Sequence, residues 1–433
     1  MADTIAALAS GRPPAGIAVL RVSGPQAAAT LTGLSFQPLP TARRLSLRKL
    51  FDPRNHGLLD RALIAWFPGP ATASGEDLAE FHLHGGPAVI SGVLDALLAM
   101  PGVRLAEPGE FTRRAFANQR LSLDEVEGLA DLVSAETAGQ RDQALALTGG
   151  ALGRLAESWR ARCLAVLADA EAGLDFAEDE ADVASRLDEK AAVALAAMAA
   201  ELDAQLADSA RAARIREGLT IVVQGLPNVG KSSLVNALVQ RDLAIVTHIP
   251  GTTRDLLEAP LNLDGHAAVL IDTAGLRDTS DPIEAEGIAR ARARAATADL
   301  VLYLSDDPET VWPSGKNMVP ILTKSDIHGG SAPIGGFSLS AMTGEGLSCL
   351  REHLSTWASQ TLRPGEPALL AHARHRAVFA QAAESLRDAT VAPLPELRAE
   401  SLRRAAHAFA RISGRIEVDD VLDRIFSSFC IGK

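Results

Sequence analysis

The octapeptide Gly225-Leu226-Pro227-Asn228-Val229-Gly230-Lys231-Ser232 constrains the fold of this chain more than any other stretch. It fits the pattern G-x-x-x-x-G-K-[ST], and it stands between a β-rich run, Leu219-Thr220-Ile221-Val222-Val223, and an amphipathic segment that opens near Ser233. Strand, glycine loop and helix in that order gather loop amides and a helix N-terminus around one anion. Lys231 is then placed to reach the β and γ phosphates of a nucleotide, and the Ser232 hydroxyl to coordinate magnesium. Such a loop belongs to an α/β unit with a mainly parallel sheet. Further strands are supplied by Ala268-Val269-Leu270-Ile271, Leu300-Val301-Leu302-Tyr303-Leu304 and Val319-Pro320-Ile321-Leu322, continuous apolar runs of the kind buried on both faces.

The α/β texture covers only residues 218–362, and a chain of 433 residues should hold more than one folding unit. Residues 1–118 read as compact α+β. Gly16-Ile17-Ala18-Val19-Leu20-Arg21-Val22-Ser23-Gly24 is a strand closed by a turn, and Ala62 to Phe67 is another. Val89, Ile90, Val93, Leu94, Leu97 and Leu98 fall at helical spacing. From about residue 121 the pattern is helical and Ala-rich. Leu152, Leu155, Trp159, Cys163 and Val166 mark one face, and the acidic stretch Asp175 to Glu180 reads as a solvated connection. Helical patterning resumes after Arg363-Pro364-Gly365. The expected organisation is a domain over 1–118, a helical domain split into 119–217 plus 363–433, and an α/β domain over 218–362 inserted into it. No internal repeat is apparent.

Composition excludes several classes. With 47% hydrophobic and 22% charged residues the chain is neither disordered nor collagen-like. Apolar runs are too short and too often broken by charge for a membrane span, and the first residues lack the pattern of a secretory signal. Three widely spaced cysteines, Cys163, Cys349 and Cys430, agree with reduced thiols, so a cytoplasmic location is expected. The net charge of −12 argues against a chain that coats nucleic acid with a basic surface. That acidity falls within residues 119–362, however, and the two ends are slightly basic, so a local RNA contact stays open.

Four more segments follow the phosphate loop in a telling order. Gly251-Thr252-Thr253-Arg254-Asp255 offers Thr253 as a second magnesium hydroxyl. Asp272-Thr273-Ala274-Gly275 follows a buried-type strand, where Asp272 can hold the magnesium shell and Gly275 lets a backbone amide approach a γ phosphate. Thr323-Lys324-Ser325-Asp326 places Asp326 to accept two hydrogen bonds from a guanine edge, and Ser340-Ala341-Met342 opens a loop that would back the base. Order and spacing match the translation-factor-like branch of the GTPase superfamily, which favours guanine. Two departures stand out. Thr323 occupies the place of the usual Asn, and a hydroxyl offers fewer groups than an amide to brace the phosphate loop. Leu276 stands where Ras-type enzymes carry a water-orienting Gln, so another group must supply catalytic charge.

With Leu276, Asn228 and the terminal Phe426-Ser427-Ser428-Phe429-Cys430-Ile431-Gly432-Lys433, the chain resembles the MnmE (TrmE) family of tRNA modification GTPases. Further markers are the run 16–24, His84-Gly85-Gly86-Pro87, and Pro108-Gly109-Glu110-Phe111-Thr112-Arg113-Arg114-Ala115-Phe116, so the resemblance spans nearly the whole length. It implies an N-terminal domain that binds a 5-formyl- or 5,10-methylene-tetrahydrofolate and drives homodimerisation, a helical domain, and an inserted Ras-like GTPase domain. Arg21, Glu80, Arg120 and Lys433 match the folate-site positions, with Arg120 where Lys is usual. A carboxylate suits the amide-like edge of a pterin, and cations suit its glutamate tail.

The resemblance further implies a potassium ion held by Asn228, Thr247, Ile249 and Thr252, with His248, Pro250 and Gly251 completing the nucleotide-binding segment and Glu284 orienting water. Without the family, Glu284 reads as a carboxylate at a helix start. The implied partners are GTP and GDP, tRNA, and an FAD-dependent MnmG-like protein in a heterotetramer, FAD and NADH entering only through that partner. The implied product is 5-carboxymethylaminomethyl or aminomethyl uridine at the wobble position, U34, and no membrane is involved. Cys430 stands open between a packed thiol and a role in one-carbon chemistry beside Lys433. His82 and His84 read as strand residues rather than metal ligands. Two other readings remain: a ribosome-assembly GTPase switch, which usually carries an appended basic RNA-binding domain, and a folate-dependent aminomethyltransferase with a regulatory GTPase domain. Of only six lysines, three, Lys231, Lys324 and Lys433, fall at these expected ligand sites.

Overall fold

The computed structural model describes residues 3–176, 181–243, 258–272, 293, 295–313, 315, 317–363, 365, 368–414, 426, 429 and 432. They fall into two units. One comprises Met1–Ala130, Thr148–Ala161 and His407–Lys433, the other Asp131–Leu147 and Arg162–Ala406.

The first unit is built on six strands, β1 (Thr4–Leu8), β2 (Ala15–Ser23), β3 (Ser46–Phe51), β4 (Leu58–Phe67), β5 (Leu78–Gly85) and β6 (Val103–Leu105), in the order β3-β4-β5-β2-β1-β6. All neighbours are antiparallel except β1 and β6. Alternation along β2 turns Ala18, Leu20 and Val22 inward and leaves Val19 and Arg21 half-buried on the opposite face. The inward face meets α1 (Ala27–Ser35) and α2 (Pro87–Leu98), whose Leu31, Leu34, Val93 and Leu97 complete the core. Pro87 opens α2 at its first turn, where a missing N–H leaves no bond unmade.

After α3 (Glu110–Ala117) the chain enters α4 (Leu123–Ser134). The cap of α3 is Gly109, at φ +69°, because a side chain there would strike the Phe426 carbonyl. Phe426 and Phe429 pack on Val126, so these two residues belong to this unit's core. Three helices follow: α5 (Ala138–Thr148), α6 (Ala151–Phe176) and α7 (Ala181–Glu217). Leu152, Trp159, Cys163 and Val166 are buried along α6 as their spacing predicts, with Leu155 half-buried. The acidic connection expected from Asp175 starts later than that, since α6 continues through Asp175 and Phe176; residues 177–180 lie outside the described residues.

Leu219 begins the second sheet abruptly. Gly218, at φ +83°, returns its N–H to the Arg214 carbonyl (2.9 Å) and ends α7 in the left-handed conformation glycine tolerates. The sheet contains β7 (Leu219–Gly225), β8 (Glu258–Leu263), β9 (His266–Asp272), β10 (Leu300–Ser305), β11 (Met318–Leu322) and β12 (Phe337–Ser338), in the order β12-β11-β10-β7-β9-β8. Every pair is parallel except β8 with β9. β7 is central, and its first five residues are all buried, as a strand covered on both faces requires. The sheet's helices include α8 (Lys231–Leu243), α9 (Ser325–His328) and α10 (Leu347–Leu362). α8 starts two residues before the expected Ser233, directly at the end of the phosphate loop. Beyond it, α11 (Ala373–Val391) packs along α7, and α12 (Pro395–Ala410) follows.

The connections into and out of this sheet are gripped by the corner between α4 and α5. Gln143 Nε2 donates to the carbonyls of Ala212 (3.1 Å) and Ala368 (2.7 Å). Asp131 pairs with Arg216 Nε (2.9 Å) and His372 Nε2 (2.7 Å). The Gly139 N–H donates to the Gly265 carbonyl (2.9 Å) at the turn between β8 and β9. Among the described residues no helix is long and apolar enough to cross a membrane.

Candidate functional site

In an open α/β sheet, ligands bind outside the carboxyl ends of the strands where the connections diverge to opposite sides. Here that point is the end of β7, with β9 on one side and β10 on the other. The loop 226–230 leaves β7 through Gly225, whose φ of +148° and closeness to the Leu304 carbonyl admit no side chain. Asn228 adopts φ +65°, a left-handed turn open to Asn, and Gly230 follows at +95°. The loop curls so that α8 begins at Lys231.

Lys231 is buried, with Nζ donating to the carbonyls of Gly225 (3.0 Å) and Leu226 (2.8 Å), so its ammonium is pinned across the mouth of the loop. Ser232 Oγ donates to Asp272 Oδ2 at 2.5 Å, joining the first turn of α8 to the last residue of β9. A hydroxyl and a carboxylate oxygen converging beside a phosphate loop are the hard donors magnesium takes, so these residues fit that ion. Ser233 and Asn228 are exposed, and Val229 is buried.

Thr323 follows β11 and is 4% exposed. Its N–H donates to the Ser305 carbonyl (2.8 Å), and its hydroxyl reaches the Val229 carbonyl (2.7 Å) and the Ser305 carbonyl (3.2 Å). Thr323 thus braces the phosphate loop through its one hydroxyl, the fewer groups expected of it in place of an amide. Lys324, at φ +58°, donates Nζ to Asp306 Oδ2 (2.6 Å), and this ammonium holds the Asp306 carboxyl below its ordinary range. The Ser325 N–H donates to the Leu339 carbonyl (3.2 Å) and its hydroxyl to Glu345 Oε2 (3.3 Å), which ties the 323–326 segment to the loop that starts at Ser340. Ser340 is buried and closes that loop by donating its N–H to the Glu345 carbonyl (3.1 Å); Ala341 is half-buried, while Asp326 and Met342 are exposed.

The fold thus brings Lys231, Ser232, Asp272 and Thr323 to one place and links Asp326 to it through the backbone. Thr247, His248, Ile249, Pro250, Gly251, Thr252, Thr253, Thr273, Ala274, Gly275, Glu284, Cys430 and Lys433 lie outside the described residues. Asp306 and Glu345 went unassigned from sequence. The signal for Asp306 was available: it follows β10 as Lys324 follows β11, and adjacent parallel strands end side by side.

A second constellation lies on the first unit's sheet. Arg21 and Glu80 are direct partners in the register of β2 and β5. Arg21 Nη2 and Nε donate to Glu80 Oε1 (2.9 and 3.2 Å), and His82 Nε2 is 3.2 Å from Glu80 Oε2. The Arg21 guanidinium lies 6.0 Å from the centre of the Phe111 ring. Glu80 Oε2 keeps acceptor capacity beyond its His82 contact, so the pair fits a ligand that presents N–H groups and an anionic tail. Arg120 is exposed after α3, with its stem beside the Gly75 corner. Gly432 sits so close to Leu8 that a side chain would strike the Leu8 carbonyl. His84 pairs with Asp60 (2.8 Å).

The family description "GTP-binding protein TrmE N-terminus" matches residues 4–120, and "MnmE helical domain" matches residues 123–430. A tRNA modification GTPase MnmE of Methylobacterium radiotolerans is 50% identical over 100% of this chain and 99% of its own length. The protein of the same description from Azorhizobium caulinodans is 48% identical, again over 100% of this chain and 99% of its own. Among solved structures, the G domain of the T. maritima FeoB iron transporter is 27% identical over 32% of this chain and 98% of that chain, with a TM-score of 0.23.

Proposed function

The chain belongs to the MnmE family of tRNA modification GTPases, and from that premise we propose that it hydrolyses GTP in the service of wobble-uridine modification. The observation that carries the hydrolysis reading is the contact of Ser232 with Asp272 beside a lysine-closed phosphate loop. The loop amides and the start of α8 hold the phosphates, and Lys231 exchanges its carbonyl partners for phosphate oxygens. Ser232 and Thr253 would hold magnesium with Asp272 in support, and the ion supplies charge neutralisation between the phosphates. Asn228, Thr247, Ile249 and Thr252 would hold potassium, which supplies the positive charge an arginine finger contributes elsewhere. Glu284 orients the attacking water, the task Leu276 cannot perform. Asp326 selects guanine.

In the domain over 1–118, Arg21, Glu80, Arg120 and Lys433 would hold a tetrahydrofolate derivative, which supplies a one-carbon unit when bound. Gly432 lies beside Leu8, whose strand partner Leu20 precedes Arg21, and this supports a place for Lys433 near that pair. Cys430 would serve one-carbon chemistry beside Lys433. The GTPase domain spans 218–362, within a helical domain of 119–217 plus 363–433. The working assembly is a cytoplasmic homodimer joined to an FAD-dependent MnmG-like partner, forming 5-carboxymethylaminomethyl or aminomethyl uridine at U34.

Two measurements test this reading. GTP hydrolysis by the purified chain should rise at least about tenfold when sodium is replaced by potassium, a conservative threshold beside the roughly 10³ to 10⁵ that an arginine finger contributes; equal rates would remove the Asn228 ion site. Nucleoside analysis of tRNA from cells that lack the chain should show wobble uridines without the modification, and unchanged tRNA would end the proposal.

A further inference from the structure

Thr323 has one hydroxyl hydrogen, and the structure assigns it. The Oγ1 to Val229 carbonyl distance is 2.7 Å and the alternative acceptor, the Ser305 carbonyl, lies at 3.2 Å, so the hydrogen points into the phosphate loop. The side chain is enclosed, at 4% exposure, and its N–H is already bonded to Ser305. The neighbouring Lys324 is drawn to Asp306 at 2.6 Å. The segment is therefore anchored on both sides, to the end of β10 and to the phosphate loop.

Guanine presents two edges to such a segment. Its Watson–Crick edge carries the N–H donors that an acceptor-only carboxylate such as Asp326 reads. Its other edge carries the N7 and O6 acceptors, which require a donor. An Asn at position 323 has two N–H hydrogens, one for the Val229 carbonyl and one for a base acceptor; Thr323 has one, and Val229 takes it. We propose that position 323 offers this chain no donor for guanine N7, so that among side chains Asp326 alone reads the base, with Thr323 acting as a positioning residue that braces the phosphate loop. The proposal rests on the GTPase reading above and deepens it: base recognition is one-sided.

The test uses the full chain with magnesium and three competitors of a fluorescent GDP: GDP, ADP, and 7-deaza-GDP, in which a C–H replaces N7. The wild-type chain should bind 7-deaza-GDP within about twofold of GDP, and ADP more weakly by at least roughly a hundredfold, since adenine lacks the paired N–H donors that Asp326 accepts from guanine. Thr323→Asn should tighten GDP by about fivefold to tenfold, the usual return on one added hydrogen bond, and should create a preference for GDP over 7-deaza-GDP. Thr323→Val keeps the shape and removes the hydroxyl; GDP release should accelerate by about tenfold while the ratio of the two guanine nucleotides stays unchanged. A wild-type chain that rejects 7-deaza-GDP by about tenfold or more overturns the proposal and leaves the GTPase reading intact. Unaltered GDP release in Thr323→Val overturns the brace. Failure to bind any guanine nucleotide overturns the GTPase reading and the proposal together.

Discussion

Replacing Gln143 by Met should loosen both chain connections to the inserted sheet without touching the nucleotide site. Gln143 is 4% exposed, and its Nε2 donates to the carbonyls of Ala212 and Ala368. Met fills nearly the same volume and donates nothing. The two acceptors do not suffer equally. Ala212 lies within α7, where its carbonyl is also an acceptor for the helix, so losing the extra bond costs about 1 kcal/mol. Ala368 is 5% exposed and lies outside any helix or strand, so its carbonyl would be left buried without its partner, at about 1–3 kcal/mol. The sum is about 2–4 kcal/mol.

A melting temperature is the wrong measure, because a chain with several folding units does not unfold in one step. Hydrogen exchange read by mass spectrometry reports local opening directly. In Gln143→Met, peptides covering 208–217 and 368–376 should exchange faster by on the order of 10²-fold, while peptides from the sheet of the first unit stay unchanged. Wild-type protection in both connecting peptides would refute the argument that one side chain holds them.

Two further predictions concern titration. The Arg54 guanidinium, bonded to Asp52 at 2.7 and 2.9 Å, holds that carboxyl down at about 2. Because the folded value lies below the unfolded one, the stability this pair contributes is present above about pH 4 and is lost as the pH falls through about 2. A carboxyl-resolved NMR titration should find the low midpoint, and Arg54→Ala should return it towards the ordinary value; a wild-type midpoint near the ordinary value would exclude the pairing. Burial in α6 pushes the Cys163 thiol up to about 12, whereas Cys349 is exposed on α10. Iodoacetamide at mildly alkaline pH should modify Cys349 and spare Cys163 until the chain is denatured, and equal labelling in peptide maps would contradict the packing of α6.

The phosphate loop was legible because its chemistry is contiguous: eight consecutive residues contain the turn, the cation and the hydroxyl. The strands β7, β9, β10 and β11 were legible for a related reason, since burial on both faces writes an unbroken apolar run into each. β8, with Glu258 and Pro260 in an antiparallel edge, carries no such run and was not read as a strand, and β5, which also lacks one, was read only through His82 and His84 as strand residues. Arg21 and Glu80 came from likeness to a family; the register of β2 and β5 made them a pair.

Tertiary structure alone decided the contacts that give the site its character. Ser232 and Asp272 are 40 residues apart, and Thr323 and Val229 are 94 apart. What unites them is the placement of β7 between β9 and β10, a property of strand order rather than of local pattern. From the motif Thr323 offered one hydroxyl where an amide is usual. In the fold its single hydrogen meets the Val229 carbonyl, because parallel strands bring their ends together however far apart their residues lie along the chain.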